Sequence, residues 1–213
     1  IYMAAEKEKE EGNTKRALEI YELAHKLESE RPEPMIQLKN IYLVDLKDDV
    51  KAEQILKQLL QKDPEKLEFL LEMGAFYYNK GNYAEAVKYF EQARPQIPTN
   101  VDNLMNISAC YYELKDYEKA MVATRTALEI EPTNLDLLEN ARSIADQMND
   151  TDKSIEYLKR ILDIHPNEDT YSILAAHLMQ KQDWQQLIKY AEEWYNWDKT
   201  NKIAVEYIIW AAQ

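Results

Sequence analysis

The chain has 213 residues, 46% of them hydrophobic and 31% charged, with a formal net charge of −13 at pH 7. That mixture is ordinary for a folded protein, and its acidity argues against nucleic acid as a partner, because phosphate binders need a lysine and arginine footprint. No apolar run reaches the roughly 20 residues of a membrane helix, and a lone Cys110 excludes an internal disulfide.

One spacing runs through most of the sequence. Pro64, Pro98, Pro132 and Pro166 follow one another at intervals of 34 residues, and Ala52, Ala86, Ala120 and Ser154 keep the same interval. Two independent residue types sharing one period of this size indicate a stacked repeat protein. With three glycines, and no stretch rich in Gly, Ser or Pro, no flexible linker is visible. The expectation is one array over 1–213, with repeats at about 1–32, 33–66, 67–100, 101–134, 135–168 and 169–201 and a partial one at 202–213.

In the first repeat Gly12, Ala17, Tyr21 and Ala24 supply a loop and a second helix, and the first helix begins almost at Ile1. That short start suggests a piece of a longer protein. The second repeat keeps Ile36, Leu43, Ala52, Leu56 and Pro64 but sets Asn40 at the tight helix crossing and Lys47, Asp48 and Asp49 in the loop, a looser copy. The third is the clearest. Leu70, Met73, Gly74 and Tyr77 recur at helical spacing, Gly81 and Asn82 interrupt, and Ala86, Val87, Phe90 and Ala93 resume the pattern. Two helices of roughly 14 residues, about 21 Å each, joined by so short a loop must run antiparallel. Gly74 and Ala86 fall where the helices cross, since minimal side chains permit close approach. Pro95 removes a backbone donor and should end the second helix early, Pro98 stops it, and Asn100 can cap the next.

The fourth repeat carries Leu104, Ser108, Tyr111, Tyr117, Ala120, Ala127 and Pro132. The fifth places Arg142 where Gly74 and Ser108 sit, so the cation must snorkel past the crossing or the helices must splay. The sixth, one residue short, has Tyr171, Ala175, Leu178, Asp183, Trp184 and Leu187, with Trp194 in place of the usual alanine. Residues 202–213 read as the first helix of a seventh, with Ile208, Ile209 and Trp210 still apolar and no polar capping helix.

The order Leu70, Met73, Gly74, Tyr77, Gly81, Tyr83, Ala86, Phe90, Ala93, Pro98 resembles the tetratricopeptide repeat. The resemblance covers nearly the whole chain. It implies an all-α, right-handed superhelical solenoid of antiparallel helix hairpins, about six repeats plus one extra helix, whose first helices line a concave groove. It also implies a non-catalytic scaffold that binds a peptide or a helix of a partner protein in that groove.

The residues themselves carry no chemistry. His25, His165 and His177 lie on different repeats, and there is no HExxH, paired cysteine, glycine-rich phosphate loop or GxSxG. No cofactor, metal or catalytic residue is expected. Localisation is unbounded, because a lone cysteine suits a reducing cytosol and a disulfide-free extracytoplasmic domain alike.

From the helical register, residues two, five, six, nine and twelve of each repeat should face the groove. This selects Leu71, Glu72, Ala75, Tyr78 and the adjacent Asn79, then Met105, Asn106, Ala109 and Tyr112, then Glu139, Asn140 and Ser143. The small residues make room, the tyrosines offer amphipathic surface, and an asparagine can both donate to and accept from a peptide amide. Asparagines at this place bind extended peptides in similar repeats. The lysine, asparagine and arginine set with which related repeats clamp chaperone tails is missing, its places holding Leu71, Ala75, Asp136 and Asn140. Glu68, Glu72, Asp102, Glu113, Asp136, Glu139, Asp146 and Asp169 lie on or beside the groove, so a basic peptide is expected. The rival reading is self-association or a structural spacer of a larger multidomain protein, for Trp184, Trp194, Trp197 and Trp210 cluster in the last quarter.

Overall fold

Helix starts and stops recur with the period of the prolines, and from Asn100 onward an asparagine or aspartate side chain caps each described helix start. The computed structural model describes residues 1–212. Its described residues form helices and connecting turns, in two compact units, Ile1–Gln96 and a second beginning at Ile97.

The first unit holds α1 (Tyr2–Glu10), α2 (Thr14–Leu27), α3 (Glu33–Asn40) running into a π-helix (Ile41–Asp45), α4 (Asp49–Lys62), α5 (Leu67–Asn79) and α6 (Tyr83–Ala93). As Pro95 requires, α6 gives way to a 3-10 turn at Arg94–Gln96. The core gathers Ala5, Ala17 and Ala52, all without exposure, around Tyr21, Ile41, Leu56 and Met73. Gly74 is buried, and a Cβ built on it would lie 2.6 Å from a ring carbon of Phe90. The absent side chain is what lets α5 and α6 close on each other.

The second unit holds α7 (Val101–Glu113), α8 (Tyr117–Ile130), α9 (Leu135–Gln147), α10 (Thr151–Ile164), α11 (Glu168–Gln180), α12 (Trp184–Trp197) and α13 (Lys202–Ala211). At the place of Gly74, the buried Ser108 hydroxyl lies 3.1 Å from the Ala120 carbonyl and 2.6 Å from the Thr124 hydroxyl. One repeat on, Arg142 snorkels. Its guanidinium is 2.7 Å from Glu139 and 2.7 Å from Asp146, at 20% side-chain exposure. Trp194 fills the alanine position by stacking on Tyr171, ring centroids 5.7 Å apart, and is 1% exposed.

The loops are more regular than glycine content foretells. Positive φ occurs at Gly12, Lys47, Gly81, Lys115, Asn149 and Gln182, at intervals of 35, 34, 34, 34 and 33. Each left-handed residue ends a first helix. The next amide then reaches back five residues, as Asn82 does to Tyr77 (2.9 Å), Asp116 to Tyr111 (2.9 Å) and Asp150 to Ala145 (2.9 Å). Asp48, Asn82, Asp116, Asp150 and Asp183 cap the second helices, each accepting from the amide three residues on. Asn100, Asn134, Asn167 and Asn201 do the same for later first helices. The residue missing from the sixth repeat is the one between proline and cap: Pro132 is followed by Thr133 and Asn134, but Pro166 directly by Asn167.

The second repeat departs from this frame. Here the amide of Asp48 reaches back six residues, to Tyr42 at 2.7 Å, across the π-helix. The extra residue matches the 35-residue interval from Gly12 to Lys47. It corrects the expectation for Asn40, which does not occupy a tight crossing. Lys39 and Ile41 on either side are buried and Asn40 is only half-buried, because the widened turn rotates the register.

Candidate functional site

The residues expected on the groove fall into both units. In the second unit, Ala109 and Tyr112 on α7 and Asn140 and Ser143 on α9 line one cleft of about 180 Å³, together with Ser108, Glu113 and Ile144. The two helices are set by their asparagine caps, Asn100 and Asn134, and by the buried Leu104, Ile107, Leu138 and Ala141 beneath them. Ala109 and Ser143 make the space at the bottom, since nothing larger projects there.

Polar groups edge this cleft. The Tyr112 hydroxyl lies 3.4 Å from that of Ser143, while the Tyr112 ring packs edge-on against Tyr117 at 5.5 Å between centroids. A half-buried tyrosine fixed in this way presents a rigid face and a hydroxyl at little entropic cost. The Asn140 carboxamide is exposed and makes no hydrogen bond to a described residue, and neither does the Glu113 carboxylate. The cleft thus offers a donor and acceptor amide, hydroxyls and one uncompensated negative charge above a small apolar floor.

Not every expected residue joins it. Met105 packs half-buried against the core, Asn106 is exposed outside the cleft, and Glu139 is committed to Arg142. Asp146 is committed as well, to Arg142 through one carboxylate oxygen; the His177 Nε2 lies 3.2 Å from the other without a hydrogen bond to it, and is hydrogen-bonded to the Ser154 hydroxyl at 3.1 Å. His177 therefore ties α11 to α10 through Ser154. The acidic face expected from sequence is correspondingly weaker, because arginine and lysine partners already neutralise Glu72, Glu139 and Asp146.

In the first unit Glu72, Ala75 and Asn79 on α5 line a second cleft, of about 290 Å³, with Lys39, Asn40 and Leu43 opposite. Leu71 is half-buried beside it, and Tyr78 turns its ring edge-on to Tyr83 at 5.3 Å. A uniform 34-residue register aligns Lys39, Asn40 and Leu43 with Met73, Gly74 and Tyr77, and so places them off the groove. The signal was present, for Ala17 and Ala52 stand 35 residues apart where the later small residues stand 34 apart.

The remaining reactive group is enclosed. Burial pushes the Cys110 thiol up to about 11, so it stays protonated at neutral pH with no exposed surface. Among the described residues no helix is long and apolar enough to cross a membrane, and no three His, Cys, Asp or Glu side chains are grouped to hold a metal ion.

Comparison with known proteins agrees with this hairpin architecture. A tetratricopeptide-repeat family model matches residues 43–106 and 79–126. No curated protein matches the sequence. Among solved structures, YrrB, a tetratricopeptide protein with an unusual peptide-binding site, superposes with a TM-score of 0.65 at 18% identity, over 85% of this chain and 90% of its own. The C-terminal part of a repeat protein from Cytophaga hutchinsonii gives 0.62 at 17% identity, over 98% of this chain and 99% of its own. MamA from Desulfovibrio magneticus RS-1 gives 0.62 at 18% identity, over 76% and 90%. At these identities the likeness is one of fold, an all-α tetratricopeptide fold whose members generally serve as non-catalytic protein-interaction scaffolds. Residue pattern, hairpin geometry and family match converge on the tetratricopeptide repeat, matched by the family model over 43–126 and shared as a fold with these structures.

Proposed function

We propose that this protein is an interaction scaffold that binds an extended peptide of a partner protein across α7 and α9. The observation that carries the reading is the cleft itself: four side chains from two repeats, Ala109, Tyr112, Asn140 and Ser143, line one concavity. An extended strand laid over them puts a small side chain into the 180 Å³ space and its backbone amide against Asn140. Glu113 and Asp102 on α7, Asp136 on α9 and Asp169 on the following α11, none in an ion pair among the described residues, favour lysine or arginine in the peptide. The fold shared with YrrB makes a peptide the ligand class to test first.

The test is selection from a displayed random-peptide library on the immobilised protein at low and at raised salt. Enriched sequences carrying lysine or arginine beside a small residue, with binding that weakens as salt rises, support the reading. Enrichment of acidic sequences, or binding indifferent to salt, contradicts it.

Self-association is the second reading, and one observation favours it. Trp184 and Trp210 meet edge-to-face at 4.9 Å between centroids, yet remain 38% and 47% exposed beside the exposed Ile203 and Ile209. A monomeric mass by light scattering at high concentration would remove it.

A further inference from the structure

The cleft of the first unit is built by a π-helical irregularity found in no other repeat among the described residues. Where α3 passes into the π-helix, the extra residue widens the turn and leaves Leu43 at 38% exposure on the cleft wall, facing Ala75 and Phe76 of α5. Such π-helical insertions disturb an otherwise regular hydrogen-bond ladder and tend to be kept where they serve a site. Beneath Leu43 lies Lys39, only 4% exposed, its ammonium 2.6 Å from both carboxylate oxygens of Glu72. At the rim the Lys80 ammonium sits 2.7 Å from Asp49 and 5.3 Å from the centre of the Phe76 ring.

These four charges cancel in pairs, within a chain of net charge −13. A charged ligand group entering the cleft must be desolvated with no free counter-charge, or must break a pair and strand a buried ion. A neutral apolar group meets neither penalty and covers the exposed apolar surface of Leu43 and Ala75 above the buried Leu56 and Phe76. The space, about 290 Å³, holds one large side chain and little more. Two carboxamides, Asn40 and Asn79, border it and make no hydrogen bond to any described residue, so each can donate to and accept from a passing backbone.

We propose that this cleft is a pocket for a single aliphatic or aromatic side chain of a partner polypeptide, held by Asn40 and Asn79 through its flanking amides. The inference takes from the scaffold reading only that the ligand is a polypeptide. It concerns a different unit and a neutral rather than a basic residue.

The test is two-dimensional amide NMR of the full chain titrated with N-acetyl-leucinamide and N-acetyl-phenylalaninamide, and with the capped amides of lysine and glutamate as counter-probes. Saturable shifts centred on Ala75, Phe76 and Asn79 are expected for the apolar probes, with dissociation constants in the millimolar range that fragments of this size reach. The charged probes should bind at least about fivefold more weakly, a difference of about 1 kcal/mol. Ala75→Phe places a ring in the cleft from an exposed position, and should abolish the shifts without lowering the melting temperature. Asn140→Ala, in the other unit, should leave them unchanged, which separates this inference from the α7/α9 reading. Absence of saturable shifts on α5, equal binding of the lysine probe, or shifts that survive Ala75→Phe would overturn it.

Discussion

Gly74→Ala is the most informative single change to the fold. A new Cβ would lie 2.6, 2.7 and 2.9 Å from three carbons of the Phe90 ring, closer than real methyl contacts come, and that ring is 2% exposed with no open side to move into. Overpacking of this kind costs about 1–3 kcal/mol, and distances this short put it toward the upper end. Alanine is meanwhile a better helix former than glycine by about 1 kcal/mol. The net expectation is a loss of about 2 kcal/mol, which for a chain of this length is a fall of about 4–8 °C in melting temperature. Thermal unfolding by circular dichroism reads this directly. The same change in a Phe90→Leu background, where the ring is gone, should be neutral or slightly stabilising, because only the propensity gain remains. A Gly74→Ala protein that melts higher than the parent would refute the claim that the missing side chain is what lets α5 and α6 close.

Three further outcomes follow from the same structure. Lys115, at φ 61, should be stabilised by replacement with glycine by about 0.5 kcal/mol, left-handed strain relieved against greater unfolded-chain freedom, whereas Gly81→Ala at φ 71 should lose about 1 kcal/mol although no atom lies near its Cβ; paired denaturant titrations decide both. Asp146→Ala deprives the part-buried Arg142 of one of its two carboxylates, and should cost about 1 kcal/mol with the loss concentrated in hydrogen-exchange protection of α9, whereas a loss spread uniformly over the chain would count against a local tie. Glu53, held low by its bonds to Lys57 and Tyr77, and Asp150, held low by Lys153, bind fewer protons folded than unfolded. Their contribution is therefore present above about pH 4 and lost as pH falls through the depressed folded values; a melting temperature flat from pH 8 to 5 and falling below about pH 4 is expected, and one rising on acidification is not.

The parts of the fold legible in sequence are those where one side chain has one physical job. Pro95 removes a donor, and α6 stops before it; Gly74 vacates space, and Phe90 fills it; Arg142 cannot pack at a crossing, and reaches out to two carboxylates. The loops were harder, because left-handed positions at Lys47, Lys115, Asn149 and Gln182 carry no glycine to announce them. There the hairpin closes by its amide bonds and aspartate caps strongly enough to hold an ordinary residue at positive φ. The register also named side chains that one cleft brings together, Ala109, Tyr112, Asn140 and Ser143, because α7 and α9 follow the repeat without slippage. It missed Lys39, Asn40 and Leu43, where one inserted residue turns the helix face. Charge was overread as well. Counting Glu72, Glu139 and Asp146 as free ignores Arg142 on the adjacent turns of α9 and Lys39 on α3, the latter brought to Glu72 only by folding.

The central claim is that α7 and α9 present a peptide site, and calorimetric titration of the best selected peptide into Asn140→Ala and Tyr112→Ala variants tests it most directly. The exposed Val122→Ala on α8, away from the cleft, serves as the control. The account predicts a loss of about 1–2 kcal/mol for each cleft variant, roughly five- to thirtyfold in affinity, at melting temperatures close to the parent's. Unchanged affinity in both cleft variants would contradict it.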